Sequence, residues 1–219
     1  MLEERYSVSQ LLLLQKLNRR DLVHLVRLKE MAAPDQWYYN ELIYSPMPDS
    51  YGWAAPYPNI IIVEQKYQVF GAYELGQLVR WGPVSTGRKS SPTPNGFYNL
   101  KWKARIHHST DNQEWCMPWY FNFINFRGLG FHQYEMPGYP ASHSCVRLLE
   151  EDAEWLYDWG DQWELDTKCD SILQKGTPVL VIGEYEHGQP PPWHDLQNLL
   201  SAIHLPVNPL PAEEAVIKP

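Results

Sequence analysis

No apolar run in this sequence approaches the roughly twenty residues a membrane-spanning helix needs; the longest leucine run, Leu11 to Leu14, follows Glu3 and Glu4. The basic start, longer apolar stretch and small-residue cleavage site of a secretory signal are also missing. The expectation is a cytosolic chain, or one whose export signal has been removed. Nor is there a Lys/Arg-rich stretch. The balance of 18 basic and 26 acidic residues, a net charge of −8, argues against nucleic acid, which requires a basic stripe. Cysteine is scarce: Cys116, Cys145 and Cys169 are too few for a disulfide scaffold, and their odd number leaves at least one unpaired in a monomer. In an exported protein a Cys116–Cys169 bridge would leave Cys145 free. No internal repeat is visible. What the sequence does have is core material, with 44% hydrophobic residues and ten tryptophans in 219 residues. That suits one catalytic domain with short extensions, but not two full domains.

Leu and Val recur at helical spacing through residues 7–31, which predicts two short helices with Asn18 or Asp21 capping the second. Pro34 ends this segment. A Tyr/Pro/Ser-rich connector follows and reads as an irregular strap whose aromatics lie against a neighbouring surface. From Asn59 the period becomes that of strands. They are expected at Ile60–Val63, Lys66–Tyr73, Gln77–Pro83, Gly96–Lys103, Trp119–Phe126, Gly130–Tyr134, His143–Leu148 and Pro178–Gly183. One helix interrupts them, from about Glu150 to Trp163. Leu149, Ala153, Leu156 and Trp159 share one of its faces; Glu150, Glu151 and Asp152 sit in its first turn, opposing the dipole. Its acidic face reads as solvated. Beyond Glu186 the chain is proline-rich, with a short helical candidate at Asp195–Ile203. The expected organisation is a helical segment over 1–36, a connector over 37–58, a mainly β domain with one inserted helix over 59–187, and a tail over 188–219.

The chemistry concentrates between Gly130 and Leu148, where His132, His143 and Cys145 fall within fourteen positions. A thiol attacks as the thiolate, so Cys145 needs a base, and His132 is the candidate. The midpoint between them lies in Pro137-Gly138-Tyr139-Pro140, a turn-forming segment, so a chain reversal there would set the two side chains opposite each other. Backbone amides near Ser144 and Cys145, just ahead of the acidic helix, are candidates for stabilising an oxyanion. Arg147, two residues on, shares the face of Cys145 on a strand and suits a substrate carboxylate.

Pro140-Ala141-Ser142-His143-Ser144-Cys145-Val146-Arg147, with His132 upstream, resembles the signature of the L,D-transpeptidase (YkuD-type) catalytic domain family. Ser85-Thr86-Gly87 followed by Thr93-Pro94-Asn95-Gly96-Phe97 resembles a second element of that family. The resemblance covers roughly residues 59–187 and implies a β-sandwich-like catalytic domain acting on peptidoglycan stem peptides through a cysteine acyl-enzyme. It implies Cys145 as nucleophile, His132 as base and then acid, and backbone amides of His143, Ser144 and Cys145 as the oxyanion hole, with Ser142 in support. Arg147 and Tyr134 are the substrate-binding candidates. It further implies an address in the periplasm or cell envelope and covalent inhibition by carbapenems; no cofactor or metal is called for. The family's usual glycine between histidine and cysteine is Ser144 here, a cost if that position needs positive φ. Gln133, where many members carry a small residue, leaves the orienting partner of His132 open.

Blander readings stand beside these. Cysteine is often simply buried, and a metal site of His132, His143 and Cys145 is chemically conceivable. Arg147 could pair with Glu150 or Glu151 instead of substrate. His107 and His108 read as solvent-exposed beside a polar loop that could border the cleft. Trp102, Trp115, Trp119 and Tyr120 could line a groove but fit a core as well. At the level of activity, the alternatives are an L,D-carboxypeptidase or endopeptidase using the same thiol, and a catalytically inactive wall-binding protein.

Overall fold

A computed structural model describes residues 2–109, 112–194 and 203–210. Two helices open the chain, α1 (Val8–Asn18) and α2 (Leu22–Leu25). Four strands follow: β1 (Asn59–Glu64), β2 (Val69–Glu74), β3 (Gln77–Pro83) and β4 (Gly96–Asn99). Next come β5 (Lys103–His108), β6 (Cys116–Ile124), β7 (Leu129–Gln133) and β8 (Val146–Leu148). Helix α3 (Glu150–Trp159) leads to β9 (Glu164–Leu165), β10 (Ile172–Gln174) and β11 (Pro178–Ile182). The fold is mainly β. One sheet runs β3-β2-β1-β11-β4, the other β5-β6-β7-β8, and β9 pairs with β10 alone.

The run Ile60-Ile61-Ile62-Val63 does not alternate because β1 is covered on both faces. Ile61 and Val63 join Phe70, Phe121, Phe123, Phe131, Val146 and Val179 in the main core, to which α3 adds Ala153 and Leu156. Ile60 and Ile62 face the other way, with Tyr73 and Leu180, under Met47, Tyr51 and Ala54 of the connector and Ile203 of the tail. Of the connector's aromatics, Tyr51, Trp53 and Tyr57 lie against the sheet, whereas Trp37, Tyr38 and Tyr39 are exposed.

Several boundaries differ from expectation. Lys66 to Gln68 form a turn, with Gln68 at φ 49°, so β2 starts at Val69. The single strand expected over Gly96–Lys103 is two strands in different sheets. Between them Leu100 N–H donates to Thr177 and Lys101 N–H to Asn122. The expected His143–Leu148 strand is ordered as β only from Val146. Helix α3 stops at Trp159, where Gly160 turns extended. The β9–β10 hairpin is unforeseen, and the helix expected at Asp195–Ile203 lies outside the described residues except for Ile203.

At the N-terminus Ser7 and Gln10 form a capping box on α1, and Asp21 caps α2. Asn18 is no cap; its amide bonds Leu14 and Ala32. Lys16 of α1 is buried and reaches Glu41 at 2.7 Å and Asp152 at 3.5 Å. Arg80 closes on the same Asp152 at 2.7 Å. Asp152 is therefore fully buried, which corrects the reading of the acidic first turn as wholly solvated. Gly82 makes room for it: a Cβ there would stand 2.2 Å from Asp152 Oδ2. Arg19, also buried, lies between the Trp81 and Trp193 rings at 5.8 and 5.6 Å. It donates to the carbonyls of Lys16, Leu17 and Tyr67. Burial pushes its pKa down to about 9, so it stays charged at neutral pH.

Candidate active site

β7 and β8 pair in parallel, with His132 in register with Arg147. Residues 134–145 thus form a crossover between parallel strands, and the hairpin expected around Pro137–Pro140 does not occur. His132 and Cys145 reach one cavity by another route. Cys145 immediately precedes β8, and both residues line one cavity of about 110 Å³. Ser142, His143, Tyr134 and Arg147 line it too, so six of the seven sequence candidates share that wall; Ser144 lies buried behind it.

His132 is nearly buried, at 4% exposure. Its Nδ1 lies 2.9 Å from the carbonyl of Gln133. A carbonyl only accepts, so Nδ1 carries the hydrogen and Nε2 is left as the basic nitrogen. The orienting partner is thus backbone. Burial is the main cause of a pKa lowered to about 4; the Gln133 bond opposes it, while Arg147 and His107 push the same way. At neutral pH the imidazole is uncharged. The Cys145 thiol is half-buried and lies 3.8 Å from the carbonyl of Gly128.

The loop carrying Cys145 is braced by the upstream Ser-Thr-Gly element. Ser85 exchanges two backbone hydrogen bonds with Arg147, at 3.0 Å each. Its hydroxyl donates to Tyr139 O and accepts from Ala141 N. Thr86 O accepts from Ser142 N, and Ser142 O from Arg88 N. Ser142 thus spends its amide on this brace and its hydroxyl on the carbonyl of Cys145. Thr93 completes the set: its hydroxyl donates to Ser144 O and accepts from Gly87 N, both at 2.9 Å.

Ser144 has φ 86°, a left-handed conformation that favours glycine. Its side chain is tied down in return, donating to Ser91 O at 3.1 Å with Ser91 Oγ at 3.2 Å. His143 stands edge-on to Trp115 at 4.7 Å, with Arg88 at 3.5 Å from its Nδ1. Arg147 lies over the Tyr134 ring at 4.5 Å and donates to Glu135 O at 3.3 Å. It has no ion-pair partner among the described residues; Glu151 pairs with Arg80 instead.

Sequence reasoning missed part of the wall. His107, expected in solvent, lines the cavity with Met117 and Arg127, beside Trp115, which the sequence offers for a groove or the core. It packs on Tyr120 at 4.5 Å, and burial then neighbouring His108 lower its pKa. No periodicity in the polar β5 signalled it, since burial along that strand does not alternate. His108 is exposed, as expected. Cys116 and Cys169 are exposed free thiols, so the conditional disulfide is not formed. Among the described residues no group of three or more His, Cys, Asp or Glu side chains is placed to hold a metal, and no helix is long and apolar enough to cross a membrane.

The model of the L,D-transpeptidase catalytic domain (YkuD) matches residues 58–181. No curated protein matches the chain. Among solved structures, an L,D-transpeptidase (Yku) from Stackebrandtia nassauensis is 26% identical, covering 58% of this chain and 57% of its own, with a TM-score of 0.47. An L,D-transpeptidase from Xylanimonas cellulosilytica is 25% identical over 64% of this chain and 65% of its own, with a TM-score of 0.47. L,D-transpeptidase 3 from Mycobacterium tuberculosis, in complex with a faropenem-derived adduct, is 22% identical over 57% of this chain and 60% of its own, with a TM-score of 0.44. The matches span less than two thirds of each of these chains.

Proposed function

This chain belongs to the L,D-transpeptidase catalytic domain family, and from that premise we propose that it is a peptidoglycan-modifying L,D-transpeptidase using Cys145 as nucleophile and His132 as base. One observation carries the assignment: a buried, neutral imidazole with Nδ1–H committed to backbone, on the same cavity as a half-buried thiol. A histidine with a pKa of about 4 does not hold a resting imidazolium. The thiol proton therefore moves to Nε2 as the sulfur attacks the substrate carbonyl.

In this reading Sγ adds to the carbonyl of the third residue of a donor stem tetrapeptide. The tetrahedral adduct collapses with loss of the terminal D-alanine, whose amine takes the proton from His132. A thioester remains. An amine of a second stem then attacks it, giving its proton to His132 and freeing the thiol. Thr93 holds the Ser144 carbonyl, and a trans peptide directs the Cys145 N–H the opposite way. That amide, with those of His143 and Ser144, is assigned to the developing oxyanion, where a donor contributes on the order of 3 kcal/mol. Arg147, which has no ion-pair partner within contact among the described residues, is assigned to a stem carboxylate, with Tyr134 as its platform. Such substrates place the enzyme in the periplasm or cell envelope.

Intact mass after incubation with a carbapenem tests the nucleophile. One adduct on the parent and none on Cys145→Ala supports it; an inert, folded, reduced parent refutes it. Digestion of a muropeptide mixture then separates outcomes. Cross-linked dimers establish transfer, whereas shortened stems alone assign the chain as an L,D-carboxypeptidase or endopeptidase. Wall binding without adduct or turnover would leave an inactive binding protein.

A further inference from the structure

The segment between β7 and β8 is held from two sides. Ser85 and Thr86 brace its C-terminal half, as described. Its N-terminal half is held from outside the matched region, by residues just after α1. Asp21 N–H donates to Met136 O at 3.1 Å, and Asp21 Oδ2 accepts from Met136 N at 2.7 Å. Arg20 forms an isolated antiparallel bridge with Pro137. Gly138, at φ 91°, leaves space that the Arg20 side chain fills, since a Cβ there would lie 2.8 Å from Arg20 Nε.

The amide of Met136 and the carbonyl of Glu135 belong to one peptide plane. That carbonyl accepts from Arg147 Nη1 at 3.3 Å. A continuous chain of contacts therefore runs from the Asp21 carboxylate, through the 135–136 peptide, to the guanidinium over the cavity. A charged acceptor on the N–H polarises the peptide and strengthens its carbonyl as an acceptor. Tyr134, on which Arg147 rests at 4.5 Å, is one residue from the same plane. The other oxygen of Asp21 is occupied separately, by His24 N at 2.9 Å and His24 Nδ1 at 2.7 Å.

We propose that Asp21 is a positioning residue for the active site, fixing through the Glu135–Met136 peptide where Arg147 presents its charge to substrate. The N-terminal helical segment is then a working part of the catalytic unit. This rests on the assignment of Arg147 to a stem carboxylate. Asp21 acts through Arg147 and does not itself touch substrate.

Asp21→Ser separates the two duties of the residue. Serine caps a helix well, so its hydroxyl serves His24 N–H, but it is too short to serve Met136 as well. In the full chain, Asp21→Ser is expected to raise KM for a tetrapeptide donor by roughly fivefold, the worth of one hydrogen bond, with kcat little changed. In an Arg147→Ala background the same change should add nothing, because the group it positions is gone. Equal effects in both backgrounds, or an unaltered KM in a folded Asp21→Ser protein, overturn the proposal. Should the parent be inert toward the peptide, the transpeptidase reading fails by itself. The side-chain NMR signals of Arg147 then decide the positioning: a shift and broadening in Asp21→Ser uphold it, and unchanged signals refute it.

Discussion

Ser144 holds a left-handed conformation, and its energetics can be worked from its contacts. At φ 86° a residue with a Cβ carries about 1–2 kcal/mol of strain. Against this stand the hydrogen bonds to Ser91, together about 1–2 kcal/mol at a site that is 2% exposed. Ser144→Ala retains the strain and loses the bonds, so it should cost about 1–2 kcal/mol. Ser144→Gly loses the same bonds and adds about 0.5–1 kcal/mol of unfolded-chain entropy, but sheds the strain. It should therefore be destabilised no more than the alanine variant and stay within about 1 kcal/mol of the parent. Urea unfolding resolves such differences through the midpoint at constant slope; in a chain this size they move Tm by roughly 2–4 °C per kcal/mol. The carbapenem acylation rate, measured beside it, should vary by only a few fold in the glycine variant. A neutral alanine variant, or a glycine variant more stable than the parent by over about 2 kcal/mol, would refute the balance of strain against hydroxyl bonding.

Stability should depend on pH through two opposed groups. His132, lowered from 6.5 to about 4, leaves the unfolded chain binding the extra proton, so its share of stability is complete above pH 6.5 and lost as pH falls through 4. Glu64, raised by burial from 4.5 to about 7, acts in reverse, its share being lost as pH rises through 7. Between about pH 4.5 and 6.5 these two slopes oppose. What remains in urea unfolding of the parent is the milder fall toward acid set by His107 and His194, whose pKa values burial also lowers. Glu64→Gln should steepen that fall by about 1.4 kcal/mol per pH unit; matching slopes in the two proteins would exclude this. Thr93→Val leaves Ser144 O and Gly87 N without their buried partner and should cost about 2–4 kcal/mol while slowing acylation of Cys145; an unchanged midpoint or rate would count against the bracing role. Cys116 and Cys169 should both alkylate in the native, unreduced protein, as read by peptide mass. Labelling only after reduction would reveal a disulfide.

The candidate site was legible where chemistry is carried by residue type in fixed order. Cys145 and His132 could be picked out as a thiol and a base within fourteen positions, and the Ser85–Gly87 and Thr93–Phe97 elements by their resemblance to a second family motif. Ser144's positive φ could be anticipated from the glycine it replaces. The route between Cys145 and His132 could not, since a turn-rich Pro137–Pro140 segment serves a parallel crossover as readily as a hairpin. Local residues do not encode what their ends pair with. The core was legible in β1 because an unbroken apolar run signals cover on both faces. β5 was not, because its sequence is polar and its strand state comes from pairing with β6. Asp152 shows the same limit: a carboxylate in a first turn looks solvated until Lys16 and Arg80, remote in sequence, arrive to bury it.

The guanidinium of Arg19 is wedged between two indoles, and its hydrogen-bond partners among the described residues are carbonyls. Trp81 belongs to the sheet, Trp193 to the start of the tail, and Arg19 to the joint after α1. Pulling either indole away, or lifting α1, would admit water unevenly to a charge that the remaining partners cannot satisfy alone. Separation at α1 and separation at Trp193 are thereby tied to the same buried charge. The joint that Arg19 secures continues directly into Arg20 and Asp21, the residues that hold the crossover at Met136 and Pro137.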